Sequence, residues 1–275
     1  MIASVTDPDD PRVGGYRDVR ERDLSGRDGL FVVEGEVVLR VLLSRSRFPV
    51  ESILVSEKRL DAVKPLLAQA PDGIPVLVAG QTVMNRVVGF PIHRGVLALA
   101  RRGADRDAAE ILRGLRPDAL VVALIGLSNH DNVGGVFRNA AAFGADAVLI
   151  DRTSCDPLYR KAIRVSVGGS LVVPFARGGE ADALVDLLGA HGFAILGLTP
   201  SGEEPVAAVR RAGRMALCLG AEGDGLPAGV LARTRRVRIP MAGGFDSLNV
   251  ATASGIALHR LAGGGTPLPP GEGQE

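Results

Sequence analysis

From Leu30 onward the chain alternates two hydrophobic rhythms. FVVEG, VESILVS, IPVLVA and GVLALARR are short apolar runs ended by turn residues and read as strands. Between them EVVLRVLLSRS, EKRLDAVKPLLAQA and QTVMNRVVG place apolar residues at helical spacing. The alternation predicts a small sheet covered by helices, complete by about Arg102. A second series opens at Ala119 with ALVVALIGL, a continuous apolar run suited to a strand buried on both faces, as parallel sheets require. VGGVFRNAAAFG then predicts a helix ended by Gly144, and ADAVLID a strand. DPLYRKAIRVSVGG reads as a helix and glycine turn; LVVPFA, FAILGLTP and MALCLGAE read as strands, with ADALVDLLGAHG and LPAGVLART as intervening helices. RVRIP is a short strand stopped by Pro240, and DSLN opens a helix to about Leu261. The expected fold class is α/β throughout, with a small domain over 1–102, a linker over 103–118, a second domain over 119–262 and a tail over 263–275. Residues 1–13, acidic and broken by proline, and the Gly- and Pro-rich tail read as disordered. YRDVRERDLSGRDG, from Tyr16, reads as a charged helix or arm.

Composition changes this picture little. A 275-residue chain with 46% hydrophobic residues has ample material for two cores. The formal net charge is +1, so any nucleic-acid footprint must be local. Cys155 and Cys218 are too few and too far apart for a zinc cluster, and His93, His130, His191 and His259 show no ligand spacing, so no metal site is expected. The N-terminus is unlike a signal peptide and no apolar run approaches the roughly 20 residues that span a bilayer, which predicts a cytoplasmic protein without a membrane partner.

Candidate chemistry gathers in two loops. GAEGDGLP follows the apolar run MALCL, and SNHDN follows ALVVALIGL; both lie at the carboxyl ends of strands, where open α/β sheets bind ligands. Glycine in the first loop permits positive φ and close approach of backbone to a ligand. Asn132 falls at the helix entry, and Arg138 projects from the second turn of a helix otherwise lined with Val, Phe and Ala, where an arginine is either a snorkelling surface group or part of a site. Ser247 and Asn249 open the last helix and are either caps or site residues; Glu222 is either a turn residue or a functional carboxylate. Arg40, Arg45 and Arg47 stand at and beyond the end of a helix and are either cations favoured there by the helix terminus or contacts for RNA phosphates, Arg40 and Arg45 being the candidates for RNA binding. Arg160, Lys161 and Arg164 mark either a solvated helix face or a rail for RNA phosphates. No GxGxxG opens the first βα unit of either domain, which argues against a dinucleotide fold.

LGAEGDGLP, IPMAGGFDSLNVATASGIALHR and, upstream, LSNHDNVGGVFRNAAAFGADAVLI resemble the three ordered motifs of the SpoU (TrmH) family of RNA 2′-O-methyltransferases, over about residues 119–262. FVVEGE resembles the start of the small substrate-binding domain that precedes many of these catalytic domains. His130-Asp131 stands where many members carry Asp-Pro, which leaves the subgroup open. The resemblance implies a trefoil-knotted SPOUT-type domain, S-adenosylmethionine as cofactor, an RNA substrate with rRNA favoured over tRNA, and a homodimer in which both subunits border each site. By motif position it implies Asn132, Arg138, Glu222, Ser247 and Asn249 as catalytic residues, and Gly220, Glu222, Gly223, Ile239, Met241 and Leu248 as cofactor contacts. Two other readings remain at this point: an RNA-binding protein that kept the fold without the chemistry, and a nucleotide-dependent enzyme of Rossmann type.

Overall fold

The structure, a computed structural model, describes residues 2–17, 29–243 and 247–262. The arm expected after Tyr16 and the tail over 263–275 lie almost wholly outside these residues. Contacts divide the chain into two compact units, Met1–Asp105 with Cys155–Val172, and Arg106–Ser154 with Val173–Glu275.

The first unit begins β1 (Ile2–Val5), β2 (Leu30–Glu34), α1 (Glu36–Arg45), β3 (Val50–Ser56), α2 (Glu57–Leu67), β4 (Val76–Ala79), α3 (Gln81–Val88) and β5 (Val96–Arg101). Its sheet runs β1-β4-β3-β5-β2, with β1 and β3 parallel to β4, and β5 antiparallel to β3 and β2. The expectation of disorder over residues 1–13 is corrected, because β1 adds to the sheet edge and a 3-10 helix follows over Pro11–Tyr16. Three separated anchors hold this segment: Val5, Val13 and Tyr16 are buried, and the Tyr16 hydroxyl shares a 2.8 Å hydrogen bond with Ser52 Oγ. Burial pushes the Tyr16 phenol well above its ordinary pKa. Such spacing has no period, so the hydrophobic pattern could not show it.

The chain continues with α4 (Ala108–Arg113), β6 (Leu120–Leu124), α5 (His130–Ala142) and β7 (Ala147–Ile150), then α6 (Arg160–Val165) and α7 (Gly169–Val172). It ends with β8 (Phe175–Arg177), α8 (Ala181–Ala190), β9 (Ala194–Leu198), β10 (Glu204–Pro205), β11 (Met215–Leu219), α9 (Ala228–Leu231), β12 (Arg235–Arg238) and α10 (Val250–Ala262). Residues read as linker include α4, capped by Asp107 and anchored by Ile111 and Leu112 in the core of the second unit. The second sheet is parallel throughout, in the order β10-β12-β9-β11-β6-β7-β8. Central β6 and β11 are buried along their whole length, as their unbroken apolar runs required. Burial also pushes the Cys218 thiol up to about 12. These two neighbours lead in opposite directions, β6 through α5 to β7 and β11 through α9 to β12, so the sheet has its switch point between them. A crevice at that point is where such sheets bind ligands.

Residues 155–172 interrupt the second unit in sequence and fold with the first. Glu34, buried at the end of β2, is ion-paired with Arg160 of α6, and Arg164 lies 4.0 Å from the same carboxylate. The Arg160 guanidinium also sits over the Phe90 ring, 5.0 Å from its centroid. Arg102 pairs with buried Asp156. Arg160 therefore departs from the expected solvated face or phosphate rail: its charge is committed to Glu34, while Lys161 is exposed. LVVPFA also departs from the expected strand. Val167 and Gly168, both at positive φ, turn the chain into α7, and β8 begins only at Phe175, after Pro174.

Candidate active site

The loop leaving β11 is closed on itself. Ala221 and Gly225 exchange backbone hydrogen bonds of 3.2 and 3.1 Å, which leaves Glu222, Gly223 and Asp224 as the tip. Gly220 is required by this closure, since a Cβ there would lie 2.2 Å from the Gly225 carbonyl carbon and 2.3 Å from Leu226 N. A reason for glycine at this position thus sits inside the loop itself. Gly223 is different: its φ of 87° favours glycine, and a Cβ would meet nothing within 4 Å.

Beside this loop lies a cavity of about 350 Å³ at the carboxyl ends of β9, β11 and β12. Gly220, Glu222, Gly223, Ile239, Met241 and Leu248 all line it, and so do Ser247 and Asn249. Its size falls at the lower end of the range for small-molecule sites. Apolar Leu198, Leu219, Ile239 and Met241 suit a flat heteroaromatic group, while Glu222, Ser247 and Asn249 add polar side chains to the lining. Sequence reasoning missed the wall formed by Thr199 and Pro200, which the β9 run FAILGLTP carried to its end without a motif to mark them. Arg238 holds that wall's continuation by donating to Gly202 O (2.7 Å) and Glu203 O (2.5 Å).

Three polar side chains from distant parts of the sequence meet at the cavity mouth. Asn132 Nδ2 donates to Glu222 Oε1 at 2.5 Å, and Asn249 Nδ2 donates to Asn132 Oδ1 at 2.9 Å and to Glu222 Oε1 at 3.1 Å. Asn132 is buried in the first turn of α5, whose cap is Asn129, with Oδ1 accepting from Asp131 N at 2.9 Å. Asn249 is both cap and cluster member: its Oδ1 accepts from Ala251 N (3.0 Å) and Thr252 N (3.2 Å), which aims its amide at the other two. Behind them, buried Asp151 at the end of β7 accepts from Gly126 N, Thr153 Oγ1, Ser154 N and Ser154 Oγ, while Ser154 Oγ accepts from Leu127 N. That network fixes the turn between β6 and α5 and was not foreseen, because nothing in ADAVLIDRTS marks its aspartate. Arg138 does not join the cluster. It is exposed on α5, lines no part of the cavity, and has no ion pair among the described residues. Among the described residues no group of three or more His, Cys, Asp or Glu is placed to hold a metal ion, and no helix is long and apolar enough to cross a membrane.

The family model described as the SpoU rRNA methylase family matches residues 119–259, which contain all three members of the cluster. The chain belongs to the SpoU rRNA methylase family. Among its SpoU relatives, a Mycobacterium bovis protein described as an uncharacterized tRNA/rRNA methyltransferase is 41% identical over 280 aligned positions, covering 98% of this chain and 95% of that protein. A 23S rRNA (guanosine-2′-O-)-methyltransferase, RlmB, of Photobacterium profundum is 30% identical, covering 76% of this chain and 87% of that protein. In fold the chain is similar to an AdoMet-bound rRNA methyltransferase from Sinorhizobium meliloti, with a TM-score of 0.77, 22% identity, and coverage of 94% of this chain and 97% of that one.

Proposed function

We propose that this SpoU methyltransferase transfers a methyl group from S-adenosylmethionine to a ribose 2′-hydroxyl of RNA, with ribosomal RNA as the substrate class. The observation that carries the reading is the meeting of Asn132, Glu222 and Asn249 at the mouth of the cavity lined by Ile239, Met241 and Leu248. Its volume and its apolar walls fit an adenosine-sized group, and the likeness in fold to an AdoMet-bound chain supports the same cofactor. Bound there, S-adenosylmethionine supplies an electrophilic methyl. The chain's own part is orientation: Glu222 accepts from both asparagine amides, so the three side chains form one rigid group at the mouth, and Ser247 adds an exposed hydroxyl beside them. Arg138 acts as a cation rather than as a base, because a charged guanidinium carries five donors and no acceptor for the proton. Its role is to orient a substrate phosphate and to stabilise charge growing on the attacking oxygen, while that phosphate or water takes the proton. An exposed Arg138 apart from its own cluster is what a homodimer with both subunits bordering each site would use. The 30% identity to an RlmB favours ribosomal over transfer RNA and supports the 2′-oxygen as target. Residues 1–102 are assigned to holding that RNA, with exposed Arg45 among the candidate phosphate contacts.

The test is incubation of the purified protein with S-adenosylmethionine carrying a labelled methyl and with ribosomal or transfer RNA from cells lacking the gene, followed by nucleoside analysis. Label in a 2′-O-methylated nucleoside of ribosomal RNA is expected. Label in a base overturns the ribose assignment, and label in transfer RNA alone overturns the substrate class.

A further inference from the structure

We infer that Asn139 is a positioning residue for methyl transfer, locking the register of α10 against α5, an inference that rests on the methyltransferase reading above. Asn139 stands two helical turns beyond Asn132 on the same face of α5. Its Nδ2 donates to Ala251 O at 2.7 Å and to Ser254 Oγ at 2.9 Å, both on α10. Ser254 is fully buried and itself donates to Ala251 O at 2.7 Å, so one amide, one hydroxyl and one carbonyl form a closed polar knot inside the helix pair.

The surroundings show why this knot sets register. Gly135, one turn before Asn139, lets the helices touch so closely that a Cβ there would lie 2.5 Å from Ala251 Cβ. Asn139 itself fills the space beside Gly255, where an added Cβ would come within 3.2 Å of its amide nitrogen. Around Asn139 the contact is built of Gly135, Ala251 and Gly255, small groups that offer few ridges to interlock, while the Phe143 ring meets His259 edge-on farther along the pair. The hydrogen-bonded amide adds a directional constraint where the small groups meet. Asn249 lies only two residues before Ala251, and its amide must reach both Asn132 and Glu222. A slip of α10 along α5 therefore moves Asn249 away from Asn132 directly, since Asn132 sits on α5 and Asn249 caps α10, the two helices joined by Asn139.

The experiment is a double-mutant cycle of Asn139→Ala and Asn249→Ala in the full chain, read as kcat/KM for methyl transfer. Misplacement of a reacting arrangement by about 1 Å costs on the order of 100-fold. We expect Asn139→Ala to lower kcat/KM roughly 10- to 100-fold, and to add less than about 2-fold once Asn249 is alanine. Losses that multiply, or an Asn139→Ala enzyme as active as the parent, overturn the inference; a loss of stability alone leaves the folded enzyme's kcat/KM intact and so counts as the second of these. Asn139→Asp keeps the shape and removes the donor, and should lose as much as alanine. Should Asn139→Ala fail to fold, Asn139→Ser retains a shorter donor and takes its place in the cycle with a smaller loss. The side-chain amide resonances of Asn132 and Asn249 read the same positioning without turnover. They should shift in Asn139→Ala, and unmoved resonances overturn the inference whatever the activity. A parent that transfers no methyl to any RNA while these resonances do shift overturns the methyltransferase reading and leaves the positioning role standing.

Discussion

Replacing Gly220 by alanine tests whether the loop after β11 is shaped by its own backbone. The added methyl carbon would lie 2.2 Å from Gly225 C, 2.3 Å from Leu226 N and 2.4 Å from Gly225 O. Ordinary carbon contacts begin near 3.5 Å, so one strand of the loop must move by more than about 1 Å. All three neighbours are main-chain atoms, and none can rotate aside as a side-chain end would. Forcing a methyl into a filled site costs about 1–3 kcal/mol. Opening the loop also loosens the two Ala221–Gly225 hydrogen bonds, each with a net contribution of roughly 1 kcal/mol. Together these give about 3–5 kcal/mol, which for a unit of about 150 residues lowers Tm by roughly 9–15 °C. Glu222 rides on this loop, so binding of S-adenosylmethionine measured by titration calorimetry should weaken at least about 10-fold. Gly223→Ala is the control. It meets no atom within 4 Å and bears only the strain of positive φ, about 1–2 kcal/mol. A Gly220→Ala protein with the parent's Tm and cofactor affinity would refute the closure argument.

Arg138→Ala should bind cofactor as the parent does and transfer methyl about 100- to 1,000-fold more slowly, measured as single-turnover rates; an unchanged rate removes Arg138 from the mechanism. Arg138→Lys should be weakly active with a flat pH profile, whereas activity that rises along a lysine-like titration would support proton abstraction from this position. Cys218 should resist alkylation at pH 8 in the folded protein, because burial raises its pKa to about 12; this group favours folding fully below the unfolded thiol's pKa, and its contribution is lost as pH rises from there towards 12, so thermal unfolding should show no pH dependence from it below about pH 8. Arg160→Ala should cost about 2–4 kcal/mol by chemical denaturation, since among the described residues it leaves buried Glu34 with Arg164 alone, at 4.0 Å, and a loss below about 0.5 kcal/mol would show the pair to be dispensable.

Much of the architecture was legible because strands buried on both faces and amphipathic helices impose different periods on the sequence. The βα alternation from FVVEG to GVLALARR matches β2 to β5 with their helices, and ALVVALIGL and MALCL are the two central strands. The cavity wall was legible for another reason: GAEGDGLP and IPMAGGFDSLN are motifs whose order carries information that no single one does. What stayed hidden depends on contacts between residues far apart in sequence. The β1 strand is held by separated anchors without a period. Arg160 looked solvated because its partner Glu34 stands 126 positions away. Asn139 and Asp151 have ordinary neighbours in the sequence, and their importance lies in which backbone groups the fold brings to them.

The insertion of residues 155–172 into the first unit bears on how this protein can be cut or recombined. The polypeptide passes from one unit to the other at three places, after residues 105, 154 and 172. A fragment ended at the first crossing would lack α6 and α7, leaving Glu34 without Arg160, Arg102 without Asp156, and Val41 without its contact at Gly168. Transplanting this unit onto another catalytic sheet by a single junction would therefore deliver it incomplete. Its inheritance is tied to an eighteen-residue stretch encoded in the middle of the methyltransferase sequence, so the two units are expected to change as one gene segment rather than as exchangeable cassettes.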